Sequence, residues 1–512
     1  MDKKYPQISH EKHTIKIAFI LILIFAASFA VRFIRLDFYS LWYDEITTAN
    51  LVEGKSVSQA FHAILKSTGS ETLHPLYYLV LSVWTQIGGN SDSSLRFPSV
   101  IFGSCAVVVY AFLLYQLTGR RTPSVGLPLI IAPFMVWYSR DARPYALIMF
   151  LTGLHLIFYL KLLSEPQYKK HWIGFIITGV LSIYSGIFVG MLLIAEILCC
   201  ILIRKYKQIF AVVVVLVLIS PLFLNGYKTF FQSDSGRHRA LPMGVNATRI
   251  VGFPQELFVA RSFGPTPDEM RRLSFSEVIH EKSIEIGVEL LVITCIFISY
   301  ILCFRYRRTI SAANTCDTRM IQALGCIVVT VFLQAFLIMA VTGYQMNARH
   351  IGFIFGPLFV LGIYPIVRDK THLHTVLFII PLLVLWSWSS ANQLFNSAYD
   401  IDDFKNTAKI IKNDKYNTSE VVALCNPYAL RHYSVKNSVI YFQGSPQVTN
   451  QTVREHLKNY NKPVWLVLNR PWSYPNFNIE KLDDYFQILQ TKKLPGIYLW
   501  LLSPKDYRYR EN

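Results

Sequence analysis

Apolar residues fill the first three-quarters of this chain in blocks, and polar residues gather between them. The blocks lie at 15–36, 73–88, 97–117, 124–138, 143–163, 172–203, 209–226, 286–304, 320–342, 349–366 and 373–391. Most hold about 17–25 residues, the length that carries a helix across a bilayer. The pattern predicts a polytopic α-helical membrane protein. The 172–203 block is too long for one upright helix and short for two, and Gly179, Gly186 and Gly190 are places for it to break. One crossing there predicts about 11 spans, and two predict about 12. The odd count is preferred, which places the C-terminal tail outside the cytoplasm. The first block is too long for a cleaved signal peptide and reads as a retained span. Lys3, Lys4, Lys12 and Lys16 before and at its start predict a cytoplasmic N-terminus.

Three segments depart from the pattern. The loop at about 37–72 is polar and contains an amphipathic stretch, with Leu51, Val52, Val57, Ala60, Phe61, Ile64 and Leu65 set among polar positions. A second long loop at about 228–283 carries Pro242, Pro254, Pro265 and Pro267. Loops of this length are usually functional or disordered. From Asn396 the composition turns soluble. Asp403 to Asn413 has helical periodicity, and Val421–Leu424, Val439–Phe442 and Val464–Leu468 read as strands. The predicted organisation is a membrane domain over 1–395, with outer loops at 37–72 and 228–283, and a small extracytoplasmic α/β domain over 396–512.

Composition agrees with this class. Hydrophobic residues make up 53% of the chain and charged residues 16%, where a soluble protein carries about 25% charge. The formal net charge of +18 does not point to nucleic acid. Its basic residues collect between spans, as at Arg204–Lys207 and Arg305–Arg308, where orientation and anionic lipids favour them. Of the 8 cysteines, most lie in apolar blocks, and no spacing suggests a zinc site or a disulfide framework.

The candidate chemistry sits at the ends of the blocks. Asp44 and Glu45 follow the first span and the aromatic run Tyr39, Leu41, Trp42, Tyr43. A carboxylate in such an interfacial setting accepts a proton from an attacking hydroxyl, or helps to hold a divalent metal, and a solvated loop acid is the equally plain reading. His74 opens the second span beside Pro75, at a helix start that favours an anion or a metal. Arg140-Asp141-Ala142-Arg143 joins two short spans, and charges so near lipid are costly unless paired or employed. Arg349 begins a later span and presents a planar guanidinium at headgroup level, either to a phosphate or as a snorkelling anchor. Arg237, His238, Arg239 and Arg261 of the second loop are further cations suited to an anionic headgroup.

Taken in order, these stretches resemble a family. They are Leu41-Trp42-Tyr43-Asp44-Glu45, His74-Pro75-Leu76-Tyr77-Tyr78, Leu95-Arg96-Phe97-Pro98-Ser99, Tyr138-Ser139-Arg140-Asp141-Ala142-Arg143-Pro144-Tyr145, and Ala348-Arg349-His350 with Pro357 beyond. The series resembles the polytopic glycosyltransferases of the GT-C fold, in the glycosyltransferase family 39 and protein-mannosyltransferase-like group, to which lipid A aminoarabinose transferases are related. The resemblance implies transfer of a sugar from a polyprenyl-phosphate donor to a hydroxyl acceptor on the extracytoplasmic face of the cell membrane, with inversion. It implies Asp44 as general base with Glu45 in support, and Arg349, then His74, with Arg143, at the donor phosphate. It leaves a metal requirement open. Where the aminoarabinose enzymes have a Lys, this chain has His74; Leu76 follows Pro75 where many members repeat Pro, and His350 stands where an Arg-Tyr pair is common. The alternative is a transporter or lipid-linked sugar flippase, which needs charges lining a path at mid-membrane depth. Here the charges lie mostly at span ends.

Overall fold

The computed structural model describes residues 7–67, 69–118, 123–232, 247–307, 315–344, 346–368, 372–414, 420–435, 439–441, 449–458, 460–471, 474, 476–482 and 485–505. Lys3, Lys4, Arg237, His238 and Arg239 lie outside the described residues.

The chain is helical through its membrane part and closes on a small sheet. Its first helices are α1 (Gln7–Phe33), α2 (Tyr43–Val52), α3 (Val57–Leu65), α4 (Leu76–Gly88), α5 (Asp92–Thr118), α6 (Pro133–Tyr138), α7 (Tyr145–Ser164), α8 (Lys169–Ser185), α9 (Gly190–Leu202) and α10 (Tyr206–Gln232). There follow α11 (Ala247–Val259), α12 (Glu269–Arg272), α13 (Phe275–Glu281), α14 (Ser283–Arg307), α15 (Thr315–Thr342), α16 (Phe355–Arg368) and α17 (His372–Phe395). The tail holds α18 (Phe404–Lys412), β1 (Val421–Leu424), α19 (Pro427–His432), β2 (Val439–Tyr441), α20 (Asn450–Leu457), β3 (Val464–Asn469), β4 (Phe486–Leu494) and β5 (Ile497–Pro504).

Among the described residues, 7 helices are long and apolar enough to cross a membrane. Two shorter apolar helical stretches, Ile187–Leu202 and Tyr206–Pro221, accompany them. Block length suggests about 11 or 12 spans, and in three of the blocks local backbone chemistry shortens the helix. The 172–203 block divides at Gly186 into α8, a single 3-10 turn over Ile187–Val189, and α9. The 124–138 block is a 3-10 stretch, Pro123–Ile131, followed by the short α6. Pro123, Pro128 and Pro133 withhold the amide hydrogens that one continuous helix needs. The 73–88 block yields α4, of 13 residues, which at about 1.5 Å per residue is shorter than the bilayer core. α3 is the amphipathic helix of the first loop. Ser56 and Gln59 close a capping box at its start, Ala60 and Ile64 are buried, and Val57 and Phe61 are exposed.

The chain forms two compact units. The first comprises 1–36, 51–264 and 282–394; the second comprises 37–50, 265–281 and 395–512. The 37–72 loop is therefore divided between the units, with Asp44 and Glu45 in the second. In the first unit α5 packs against both α1 and α7, and polar groups inside the bundle bond each other. The Arg32 guanidinium, fully buried, donates to Ser28, to the Ile130 carbonyl and to Ser139 Oγ at 3.1 Å. Gly103 makes this approach feasible, since a Cβ there meets the Ser139 side chain.

In the second unit the strand order is β2-β1-β3-β5-β4. β2, β1 and β3 are parallel, while β5 runs antiparallel to both β3 and β4. The predicted helix and three predicted strands form with shifts of a residue or so, except that Phe442 lies outside the described residues; β4 and β5 are additional. Val422, Leu424, Val464, Leu466, Trp500 and Leu502 build the core on one face. Gly496 turns the β4–β5 hairpin at φ +66, and a Cβ there runs into the Ile401 carbonyl. The hairpin turn thereby lies against Ile401-Asp402, with Asp403 N donating to Pro495 O at 3.0 Å.

Candidate active site

Asp44 and Glu45 occupy the first turn of α2, where the helix dipole favours carboxylates. They differ in surroundings. Glu45 is fully buried, and its Oε2 accepts from the Trp42 amide at 3.3 Å, which closes the helix start. Asp44 is half-buried.

The segment before α2 is held by the rest of the second unit. Ser40 N donates to Asp400 at 3.3 Å, Ser40 Oγ donates to the Asp402 carbonyl, and Leu41 N donates to the Tyr433 hydroxyl at 2.8 Å. Tyr43 N donates to Asp402 Oδ2 at 3.1 Å. Asp402, fully buried, also accepts from Arg470 Nη2 at 2.8 Å, Arg470 Nε at 3.2 Å and Asn469 Nδ2 at 2.8 Å. Burial alone raises the Asp402 carboxyl; the Arg470 guanidinium and these hydrogen bonds outweigh it and hold the group below its ordinary value.

The other candidates lie in the first unit, in two clusters joined by the 138–145 loop. His74 and Arg143 share the first. Arg143 Nη1 stands 3.3 Å from Glu71 Oε1, with both side chains nearly buried, and its guanidinium lies 5.7 Å from the Tyr78 ring. His74 is buried beside Tyr78, and its Nδ1 makes no hydrogen bond to a described residue. Burial pulls His74 down to about 4; Glu71 opposes this and Arg143 adds to it. His74 is therefore neutral at neutral pH, where a phosphate ligand by charge has to be a cation.

Arg349 belongs to the second cluster. Its guanidinium lies 6.0 Å from the Tyr145 ring, which meets Tyr138 edge-on at 5.0 Å. Tyr138 donates its hydroxyl to Glu256 Oε1, which also accepts from Arg261 Nε at 3.1 Å. Burial alone raises the Glu256 carboxyl, but Arg261, the Tyr138 hydroxyl and Arg349 bring it below its ordinary range. The backbone makes room for this. Ala260 adopts φ +56, ends α11, and turns Arg261 back over Glu256. His350 is committed locally: its Nδ1 accepts from Asn347 N at 3.0 Å and caps the 3-10 helix that carries Arg349.

Arg140 does different work from Arg143. It donates to the carbonyls of Arg32, Ile34 and Arg35 at 2.7–2.8 Å and so satisfies the end of α1. Glu256, Asp402 and Arg470 are absent from the sequence-based candidates. Glu256 had one signal, a lone acid in an otherwise apolar helix. Asp402 and Arg470 had none beyond a short acidic run. Among the described residues no three His, Cys, Asp or Glu side chains stand together as a metal site.

No protein-family profile matches the chain, and no curated protein matches it. The structure is similar to that of ArnT from Cupriavidus metallidurans bound to undecaprenyl phosphate, at 13% identity and a TM-score of 0.45, over 96% of this chain and 99% of that one. It is also similar to archaeal oligosaccharyltransferase AglB from Archaeoglobus fulgidus in complex with an inhibitory peptide and a dolichol-phosphate. There the identity is 10% and the TM-score 0.47, over 99% of this chain and 76% of that one.

Proposed function

We propose that this protein is a membrane glycosyltransferase of the GT-C kind, which moves a sugar from a polyprenyl-phosphate donor to a hydroxyl acceptor at the extracytoplasmic surface, with inversion. The observation that supports this most is the setting of Asp44: a half-buried carboxylate on a helix start whose preceding segment is pinned by backbone hydrogen bonds. A pinned carboxylate suits one proton-transfer step.

Asp44 takes the proton of the acceptor hydroxyl. The acceptor oxygen forms its bond to the anomeric carbon as the bond from that carbon to the phosphate oxygen breaks, and the electron pair leaves on the phosphate. A phosphate departs without a general acid, so the remaining task is to offset its charge. Arg349 serves that role first, with Arg261 beside it; both surround Glu256 and both suit phosphate by guanidinium geometry. His74 and Arg143 shape the first cluster, and Glu45 holds the start of α2.

One observation favours the transporter reading: His155 and Glu196, fully buried and 3.1 Å apart within the helical bundle. The pair is closed locally, since His155 Nδ1 meets the Phe175 carbonyl and Thr178 Oγ1. It does not form a row of charges along a path.

The test is Asp44→Asn, assayed in nanodiscs against a panel of polyprenyl-phosphate sugars. The variant should fold and insert normally and lose roughly 10²–10⁴-fold in kcat, the usual contribution of a positioned base. Full transfer by this variant removes Asp44 from the mechanism.

A further inference from the structure

The second unit contains an ion pair that the reaction above does not use. Arg470 follows β3 with its backbone at φ +57, in the left-handed region that non-glycine residues rarely occupy. Such a residue stays there when its surroundings hold it. Here the hold is a two-point contact, Nε to Asp402 Oδ1 at 3.2 Å and Nη2 to Asp402 Oδ2 at 2.8 Å. The guanidinium also lies 5.0 Å from the centre of the Tyr43 ring. Tyr43 is next to Asp44 in the chain, and its amide donates to the same Asp402 carboxylate. Arg470 therefore grips both the ring of the residue before Asp44 and the acceptor of that residue's amide. Burial alone lowers the Arg470 guanidinium; Asp402 first, then Asp44 and Tyr43, outweigh it and hold the group above its ordinary value.

We propose that Arg470, anchored by Asp402, is a positioning residue for Asp44: it fixes the start of α2 and sets a permanent cation beside the Asp44 carboxylate. The inference rests on the reading of Asp44 as the base. It gives the C-terminal sheet a part in the chemistry, because the end of β3 and the β4–β5 turn build the anchor. Arg470 N donates to Gly496 O at 2.8 Å, and Asn469 bonds both Asp402 and Gly496 O.

Other groups face the same place. Glu45 on α2 is tied to the Trp42 amide, and Asp400 to Ser40 N. Tyr433, after α19, is tied to Leu41 N. Cys425 and Tyr474 stand on the Asp402–Arg470 side, and burial pushes both upward, so both are neutral at neutral pH. Arg470 is the cation among these described residues.

The experiment reads Asp44 directly. Full-length protein in nanodiscs is treated with a water-soluble carbodiimide and glycine ethyl ester across a pH series, and labelling of each carboxyl is followed by peptide mass spectrometry. In Arg470→Gln the pH midpoint for Asp44 should rise by about one unit, a tenfold gain in proton affinity, because a neighbouring cation is gone. Exposed Asp37 is the internal control and should not move. Arg470→Lys keeps a charge but not the two-point contact; it should leave the midpoint near wild type and lower kcat several-fold with the donor KM unchanged. A folded Arg470→Gln with an unmoved Asp44 midpoint overturns the proposal. If Arg470→Gln does not fold, unchanged kcat in Arg470→Lys overturns it. The labelling does not depend on transfer, so full activity of Asp44→Asn breaks the base assignment separately.

Discussion

The two arginine clusters of the first unit use the same residue types to opposite ends. Around Arg143, one guanidinium meets one carboxylate, Glu71, and His74 beside them is neutral. Around Arg349, Glu256 accepts from Arg261 and from the Tyr138 hydroxyl, and Arg349 helps to hold its carboxyl below the ordinary range. A buried pair that cancels holds a loop in place, and removing one member strands the other. A guanidinium against an aromatic wall, in a cluster whose carboxylate is already engaged by a second arginine, suits the anion-binding role proposed for Arg349. Residue type alone does not separate these roles; the partners that the fold brings to each guanidinium do.

Substitutions can break this contrast. The largest effect is expected from Arg143→Gln, which strands Glu71 in a buried site and should cost about 3–5 kcal/mol of stability. Thermal unfolding in detergent reads it, and adding Glu71→Gln should recover most of the loss. Arg349→Ala should be next, at roughly 1.5–3 kcal/mol of lost donor interaction, or about 10- to 100-fold in kcat/KM for the donor, with little change in melting temperature. If the outcomes are exchanged, with Arg143→Gln stable but weak for donor and Arg349→Ala unstable, the roles of the clusters are reversed.

His74→Gln should have the smallest effect, less than about 1 kcal/mol at neutral pH, because a neutral ring is replaced by a neutral amide. Its signature is in acid. The folded chain holds His74 near 4 against an ordinary 6.5. Between those values the unfolded chain binds the proton and the folded chain does not, so wild type loses stability as pH falls through this window. His74→Gln should lose less there. Parallel melting curves of the two proteins from pH 7 to 4 check it, and identical slopes place His74 in a solvated site.

Much of the architecture was legible in the sequence because it is written in near neighbours. Apolar blocks marked the long helices, and the pattern over Val421–Leu424 and Val464–Leu468 marked two of the core strands. β4 was not legible: Gln490, Thr491, Lys492 and Lys493 interrupt its apolar alternation, and its pairing with β5 supplies what its own pattern lacks. The short helices were concealed for a related reason. Continuous apolarity does not report a break, and Gly186 or a series of prolines acts on the backbone without changing hydropathy. Of the candidate site, Asp44 and Arg349 stood out as charges at the ends of apolar blocks, and Glu45 stood out equally although its side chain closes a helix start.

By itself, the sequence determined a membrane chain with many helices, a soluble tail, and a short set of charged residues at the block ends. Hydropathy and local periodicity depend on residues within a few turns of each other, and these are present in any linear reading. Tertiary structure decided which charges meet. Glu71 reaches Arg143 across 72 positions, and Asp402 reaches Arg470 across 68. Those pairings follow from where the folded backbone brings distant segments together, and burial then makes each pairing matter, since a charge removed from water must find its partner in the fold.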